Sequence, residues 1–98
     1  MLDRLKHPYA VELFGTMFLS FTIFFTNNYL FIGLALAIAV YIGGPISGGC
    51  FNPAITIASY INNTLKPLRL VPYIIVQIVG GILGFLIAKG LLNLMKKT

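Results

Sequence analysis

The stretch Pro45-Ile46-Ser47-Gly48-Gly49-Cys50-Phe51-Asn52-Pro53-Ala54-Ile55-Thr56-Ile57-Ala58 constrains this chain more than any other. It interrupts an apolar sequence with a glycine-rich, non-helical segment that runs into Asn-Pro and a short apolar helix. Asn52 is a strong N-cap, because its side-chain oxygen can accept from the free N–H groups of the following turn. Pro53 suits the first helical position, where a missing N–H costs nothing and a fixed φ already fits. Gly48 and Gly49 permit backbone angles closed to other residues and let another segment approach closely. The helix then continues from Ala54 to Ile61 and is ended by Asn62 and Asn63, about ten residues or roughly 15 Å. That is about half of a hydrocarbon core roughly 30 Å thick. A helix of this length begins at mid-membrane and returns to the side from which its chain came.

Composition fixes the medium. Of 98 residues, 58% are hydrophobic and 9% are charged, against about 25% charged in soluble domains. A soluble domain of this length cannot hide so much apolar surface, so the chain belongs in a membrane. The net charge of +5 comes from Arg4, Lys6, Lys66, Arg69, Lys89, Lys96 and Lys97, which fall at segment ends. That distribution reads as anchoring at the membrane edge and not as nucleic-acid binding. The single cysteine, Cys50, excludes an intrachain disulfide. No cleavable signal peptide is expected, since the first apolar stretch is long, lacks a small-residue cleavage site and carries Glu12 near its start.

Three spans are predicted, at about 9–26, 29–44 and 71–95, with a re-entrant loop and half-helix at about 45–62. The fold class is an all-α membrane protein forming a single membrane domain over 1–98. Asn27-Asn28 reads as a tight polar turn, Gly43-Gly44-Pro45 as the stop of the second span, and Asn62 to Arg69 as a polar, basic connector. Lys96-Lys97 close the third span as an anchor. His7 is read as a solvated juxtamembrane residue in preference to a pH sensor. Small residues recur at helical spacing in Gly33/Ala37, Ala35/Ala39 and Gly80/Gly84, and in lipid such seams let backbones approach. Phe14, Phe18, Phe24, Phe25 and Phe31 read as lipid-facing or packing groups. Glu12 and Gln77 are polar groups inside spans, a costly placement that needs a reason.

Ser47-Gly48-Gly49-Cys50-Phe51-Asn52-Pro53-Ala54-Ile55-Thr56 closely resembles the signature loop of the aquaporin, or major intrinsic protein, family, with its Asn-Pro-Ala box. Glu12-Leu13-Phe14-Gly15-Thr16 is similar to the first-helix Glu-x-x-Gly-Thr of that family. Tyr73 to Gly84, with Gln77, Gly80, Gly81 and Gly84, is similar to its third helix. The resemblance covers nearly the whole chain, with one departure: family members carry two such repeats in one chain, and this sequence has one. It implies a half-aquaporin repeat of three transmembrane helices plus one re-entrant half-helix.

What the resemblance implies for function is a passive channel and not an enzyme, with no cofactor or metal. Asn52, Pro53 and Ala54 would be the pore signature, and the carbonyls of Gly48, Gly49 and Cys50 would line one wall. Glu12 and Gln77 would hold the loop, with Thr16 sharing their buried network, because irregular backbone at membrane depth must find internal partners or line water. Gly15, Gly80 and Gly84 would serve helix packing. The positive ends of two facing half-helices would oppose cations and protons. The expected solutes are water and small neutral, glycerol-like molecules.

One copy leaves half of the membrane unspanned, so two copies are expected to insert in opposite orientations about a two-fold axis in the membrane plane. Four cations on one side against two or three on the other permit this dual topology. By analogy, four such pairs would surround a four-fold axis. Water-selective relatives place an arginine directly after the second box. Here Ile55 follows Ala54, and Ile32 falls at the filter position of the second span, so an aliphatic filter with weaker proton exclusion is expected. Two other readings stand beside the channel: a proton-coupled small-molecule transporter working through Glu12, and a non-conducting partner subunit of a full-length aquaporin. Cys50, beside the box, either offers its thiol to mercurials or packs as a small residue.

Overall fold

The first three helices begin and end where the sequence supplies a capping residue. The structure is a computed structural model that describes residues 7–96; Arg4, Lys6 and Lys97 lie outside the described residues. Its elements are α1 (Pro8–Thr26), α2 (Tyr29–Ser47), α3 (Pro53–Ile61) and α4 (Pro67–Lys96). His7 caps α1 through Nδ1, which accepts from the Tyr9 N–H at 3.3 Å. Asn27 ends α1 in the left-handed region with φ 46°. Asn28 then opens α2 by accepting from the N–H groups of Leu30 and Phe31 at 2.9 and 3.2 Å. The polar turn predicted at these two residues is thus one stop cap joined to one start cap.

Two boundaries differ from the sequence expectation. α2 does not stop at Gly43-Gly44-Pro45 but continues to Ser47, with Pro45 inside the helix. A proline forfeits one backbone hydrogen bond, whereas a full stop needs a residue that leaves helical angles. Gly48 does so at φ 90°, and its N–H closes the last turn on the Gly44 carbonyl at 2.8 Å. The irregular segment is therefore shorter than 45–52. α4 starts at Pro67 and not near residue 71, so Leu68 and Arg69 belong to the helix. Pro67 fits the first helical position for the same reason as Pro53, and Pro72 loses one bond in the second turn.

α1, α2 and α4 are each long and apolar enough to cross a membrane. α3 has nine residues, about 13 Å of helix, and falls short. α1 is the central element: α2 packs on one side and α4 on the other, while α3 leans on α4. The described backbones of α2 do not pack on those of α3 or α4, although the Tyr73 hydroxyl of α4 reaches the Ser47 carbonyl at the end of α2.

The α1–α4 seam is built from small and polar residues. Glu12, Thr16 and Ser20 of α1 are buried, as are Tyr73, Gln77, Gly80, Gly84 and Ala88 of α4. A Cβ added at Gly80 would lie 2.5 Å from the Leu13 carbonyl oxygen, and one added at Gly84 would collide with the Met17 carbonyl. Contact of backbone with backbone at this distance is what glycine allows and any other residue forbids. Ser20 reinforces the seam by donating to the Gly81 carbonyl at 2.6 Å. Ala35 and Ala39 are likewise buried, but Gly33 has open space around it and Ala37 is exposed. The predicted Gly33/Ala37 seam is therefore not used within the chain, because that face of α2 has no neighbour.

Replacing Gly84 by leucine should force α1 and α4 apart and cost about 1–3 kcal/mol. Gly81→Ala, at a site with nothing within 4 Å, should change little. Thermal midpoints of the detergent-solubilised variants check the contrast.

Candidate functional site

Five residues, 48–52, connect α2 to α3, and the N–H groups of the first four each have a specific acceptor. Gly48 and Gly49 have φ of 90° and 65°, and Phe51 has φ 53°. Positive φ is native to glycine but costs a bulky residue on the order of 1–3 kcal/mol. The Phe51 ring offsets this by burial: the residue is 3% exposed. Its ring lies against Gly15, where an added Cβ would collide with it, and against Gly43, where a Cβ would stand 3.0 Å away. Gly15 therefore accommodates the loop and not, as expected, a neighbouring helix. Without a Cβ at these two positions, the α1–α2 groove has room for the ring.

The Gly49 N–H donates to Ser47 Oγ at 3.2 Å, and the next two N–H groups of the loop are collected by one side chain. Glu12 is fully buried. Its Oε1 accepts from the Phe51 N–H at 2.8 Å and from Gln77 Nε2 at 2.8 Å. Its Oε2 accepts from Ser47 Oγ at 2.6 Å and from the Cys50 N–H at 3.2 Å. Gln77 Nε2 also donates to Thr56 Oγ1 at 2.6 Å, and Thr56 Oγ1 donates to the Asn52 carbonyl at 2.8 Å. From the other side, the Tyr73 hydroxyl donates to the Ser47 carbonyl at 2.7 Å. One acceptor on α1 and two donors on α4 thus hold both the end of α2 and the start of α3.

Asn52 opens α3 as the residue types required: Oδ1 accepts from the Ala54 N–H at 2.7 Å, with Pro53 in the first turn. Its amide nitrogen has no partner among the described residues, and Asn52 is exposed. Among the described residues no group donates to the carbonyls of Gly48, Gly49 or Cys50. Cys50 itself is 8% exposed, packs with Leu65 and Tyr73, and lies 3.6 Å through Sγ from Ser59 Oγ, which is the packing alternative for its thiol. Ile55 is 51% exposed and Ile32 is half-buried. They stand on α3 and α2, whose described backbones do not pack on each other.

One expectation fails. Thr16 does not join the Glu12 network: among the described residues its buried hydroxyl has no hydrogen-bond partner, and neither has Gln77 Oε1. The two oxygens of Glu12 already accept from Ser47, Cys50, Phe51 and Gln77. Ser47, Phe51, Thr56 and Tyr73 were not singled out for the site. A polar group inside an apolar segment was the available signal for Ser47, Thr56 and Tyr73, as it was for Glu12. Phe51 carried a weaker one, as the large apolar side chain within a loop of glycines.

Gln77 stands ten residues beyond Pro67, about 15 Å along α4, and its bond to Thr56 sets the first turn of α3 beside it. A multi-pass membrane protein with a short re-entrant helix, capped by asparagine and tied to a buried carboxylate, is the class these features define. Comparison with known proteins agrees. The family model for Major intrinsic protein matches residues 25–98. Aquaporin Z of Photorhabdus laumondii is 38% identical over 81 residues, covering 79% of this chain and 35% of that protein. Glycerol uptake facilitator protein-like 6 of Lactiplantibacillus plantarum is 39% identical over 85 residues, covering 78% and 39%. Aquaporin-8 of Notomys alexis is 47% identical over 57 residues, covering 58% and 22%. This chain therefore matches well under half the length of these relatives. No solved structure matches it. The chain belongs to the major intrinsic protein family and is an integral, multi-pass membrane protein.

Glu12→Gln should place an amide NH₂ among donors and leave buried N–H groups unpaired, at a cost of about 3 kcal/mol or more. Thr16→Val keeps the shape and removes an unpaired hydroxyl, so its thermal midpoint should equal or exceed that of the parent chain. A midpoint for Glu12→Gln within error of the parent would contradict the role of the carboxylate.

Proposed function

We propose that this chain provides half of a passive transmembrane channel for water and small neutral solutes. The observation that carries this reading is the division of labour at Asn52. Its oxygen is occupied as the α3 cap, while its amide nitrogen is unpartnered on an exposed residue. Three consecutive carbonyls beside it accept nothing from the described protein. One donor and a row of acceptors can exchange hydrogen bonds with passing water without holding any molecule tightly. The positive end of the α3 dipole at the same place disfavours cations. The relatives named above are aquaporins and a glycerol uptake facilitator, which supports the solute class. No covalent chemistry is required of any residue.

By length α3 crosses about half of a membrane, and this reading completes it with a second, inverted repeat, whose own half-helix would face α3 end to end. In this reading the repeat comes from a second copy of the chain inserted upside down, and four such pairs can gather around a four-fold axis. Ile32 and Ile55 of both copies would make the narrow part aliphatic, with no fixed cation to turn protons away. A proton-coupled role for Glu12 fits less well, since its two oxygens are saturated by four donors and the residue has no exposure.

Stopped-flow shrinkage of liposomes holding only this chain tests the proposal. Rapid osmotic water flux, independent of a pH gradient and reduced to the empty-liposome level by Asn52→Leu, is expected. Flux that requires a pH gradient and fails in Glu12→Gln would favour the coupled transporter, and an inert protein would favour a partner subunit.

The pairing is checked by topology reporters fused to the C-terminus, which should be recovered on both sides of the membrane. One exclusive orientation would defeat the antiparallel pair.

A further inference from the structure

α4 continues past the point where α1 turns into α2. Gly84 meets Met17 and Phe21 of α1, so the two helices run parallel and Thr26 is level with roughly Gly90 or Leu91. The remaining residues to Lys96 project about 8 Å beyond that turn. A cavity of about 250 Å³ opens in the angle between the end of α1 and this overhang, lined by Phe24, Phe85, Lys89, Leu92, Asn93 and Lys96. Its inner end is aromatic: Phe24 and Phe85 meet edge to face with centroids 4.9 Å apart. Lys89, Asn93 and Lys96 follow at helical spacing towards the membrane edge.

We propose that this cavity binds an anionic phospholipid, with an acyl chain against Phe24, Phe85 and Leu92 and the headgroup phosphate between Lys89, Asn93 and Lys96. Charge complementarity selects the occupant. The chain has seven lysines and arginines and two acidic residues. Of the latter, Asp3 lies outside the described residues, and Glu12 is committed to the loop on the other part of the bundle. The two lysines therefore converge with no carboxylate facing them from any described element. The polarity gradient along the cavity, aromatic inside and cationic outside, matches a lipid and not a free ion. Helix ends act against an anion here, because α1 and α4 both point their C-termini this way. Those partial charges are partly answered within α1, where the Asn27 N–H closes on the Ile23 carbonyl and the Thr26 hydroxyl on the Thr22 carbonyl. Two full positive charges exceed what remains. Each lysine near the surface contributes about a five-fold preference for anionic over zwitterionic lipid.

Native mass spectrometry of the full chain in detergent tests this, with phosphatidylglycerol and phosphatidylcholine of identical acyl chains as probes. Phosphatidylglycerol should be retained at least about ten-fold more strongly, and Lys89→Gln with Lys96→Gln should erase the difference. Phe85→Ala should weaken retention of both lipids. Both lysines are exposed, so the double variant should keep the parent's far-ultraviolet spectrum and thermal midpoint. Lys66→Gln with Arg69→Gln, at the opposite end, should leave the discrimination intact. Equal retention of the two lipids, loss of discrimination in the Lys66/Arg69 variant instead, or displacement of the lipid by millimolar inorganic phosphate would each overturn the proposal.

Discussion

A single carboxylate makes the irregular backbone of this protein tolerable. Residues 49–51 turn their N–H groups away from any helix or sheet ladder, and in lipid each unpaired group would cost several kcal/mol. Glu12 removes that cost for two of them, Cys50 and Phe51, while also holding Ser47 and Gln77. An apolar residue at position 12 would leave those donors stranded, and a cation would repel them. The carboxylate is thus not a stray charge in a span but the acceptor that lets a chain stop, turn and restart inside a membrane protein.

The rest of the fold serves to bring Glu12, the loop and Gln77 together. The glycine seam at Gly80 and Gly84 draws α4 against the α1 backbone, which sets Gln77 beside Glu12. On the other side, Gly15 and Gly43 leave space for the Phe51 ring, and that ring fixes the residue immediately before Asn52. Tyr73 ties the end of α2 to α4. Asn52 is therefore positioned by its neighbours on both sides, and its own side chain is free to cap α3 with one atom and expose the other. The described backbones of α2 and α3 do not pack on each other, and the loop between them is held instead from α1 and α4.

Much of this was legible from residue types. The Asn-Pro start, the glycines at positive φ and the asparagine turns each follow from local backbone chemistry, and the three spans follow from long apolar runs. Glu12 and Gln77 were visible as polar groups in lipid, though which atoms they would hold was not. The errors have physical causes. Proline at position 45 suggests a stop, but one missing N–H is a smaller loss than an early exit from the helix, and Gly48 supplies the real stop. Pro67 looks like a connector residue, yet it stands at the first helical position, which suits proline. Gly33 and Ala37 have the spacing of a seam, yet spacing cannot tell which face of a helix meets a neighbour. Thr16 shares a face with Glu12, but an acceptor already filled by four donors has nothing left to offer it.

The central claim is that α3 begins in the middle of the bilayer and runs outward from Asn52. It is tested most directly by nitroxide labels placed singly at residues 52, 55, 58 and 61 in a Cys50→Ser background, with depth read from the ratio of oxygen to nickel-chelate collision rates. Depth should be greatest at residue 52 and decrease towards the headgroups at residue 61, a span of about 13 Å. Equal depths at all four sites would mean that α3 lies flat in the interface, and that result would contradict the re-entrant helix outright.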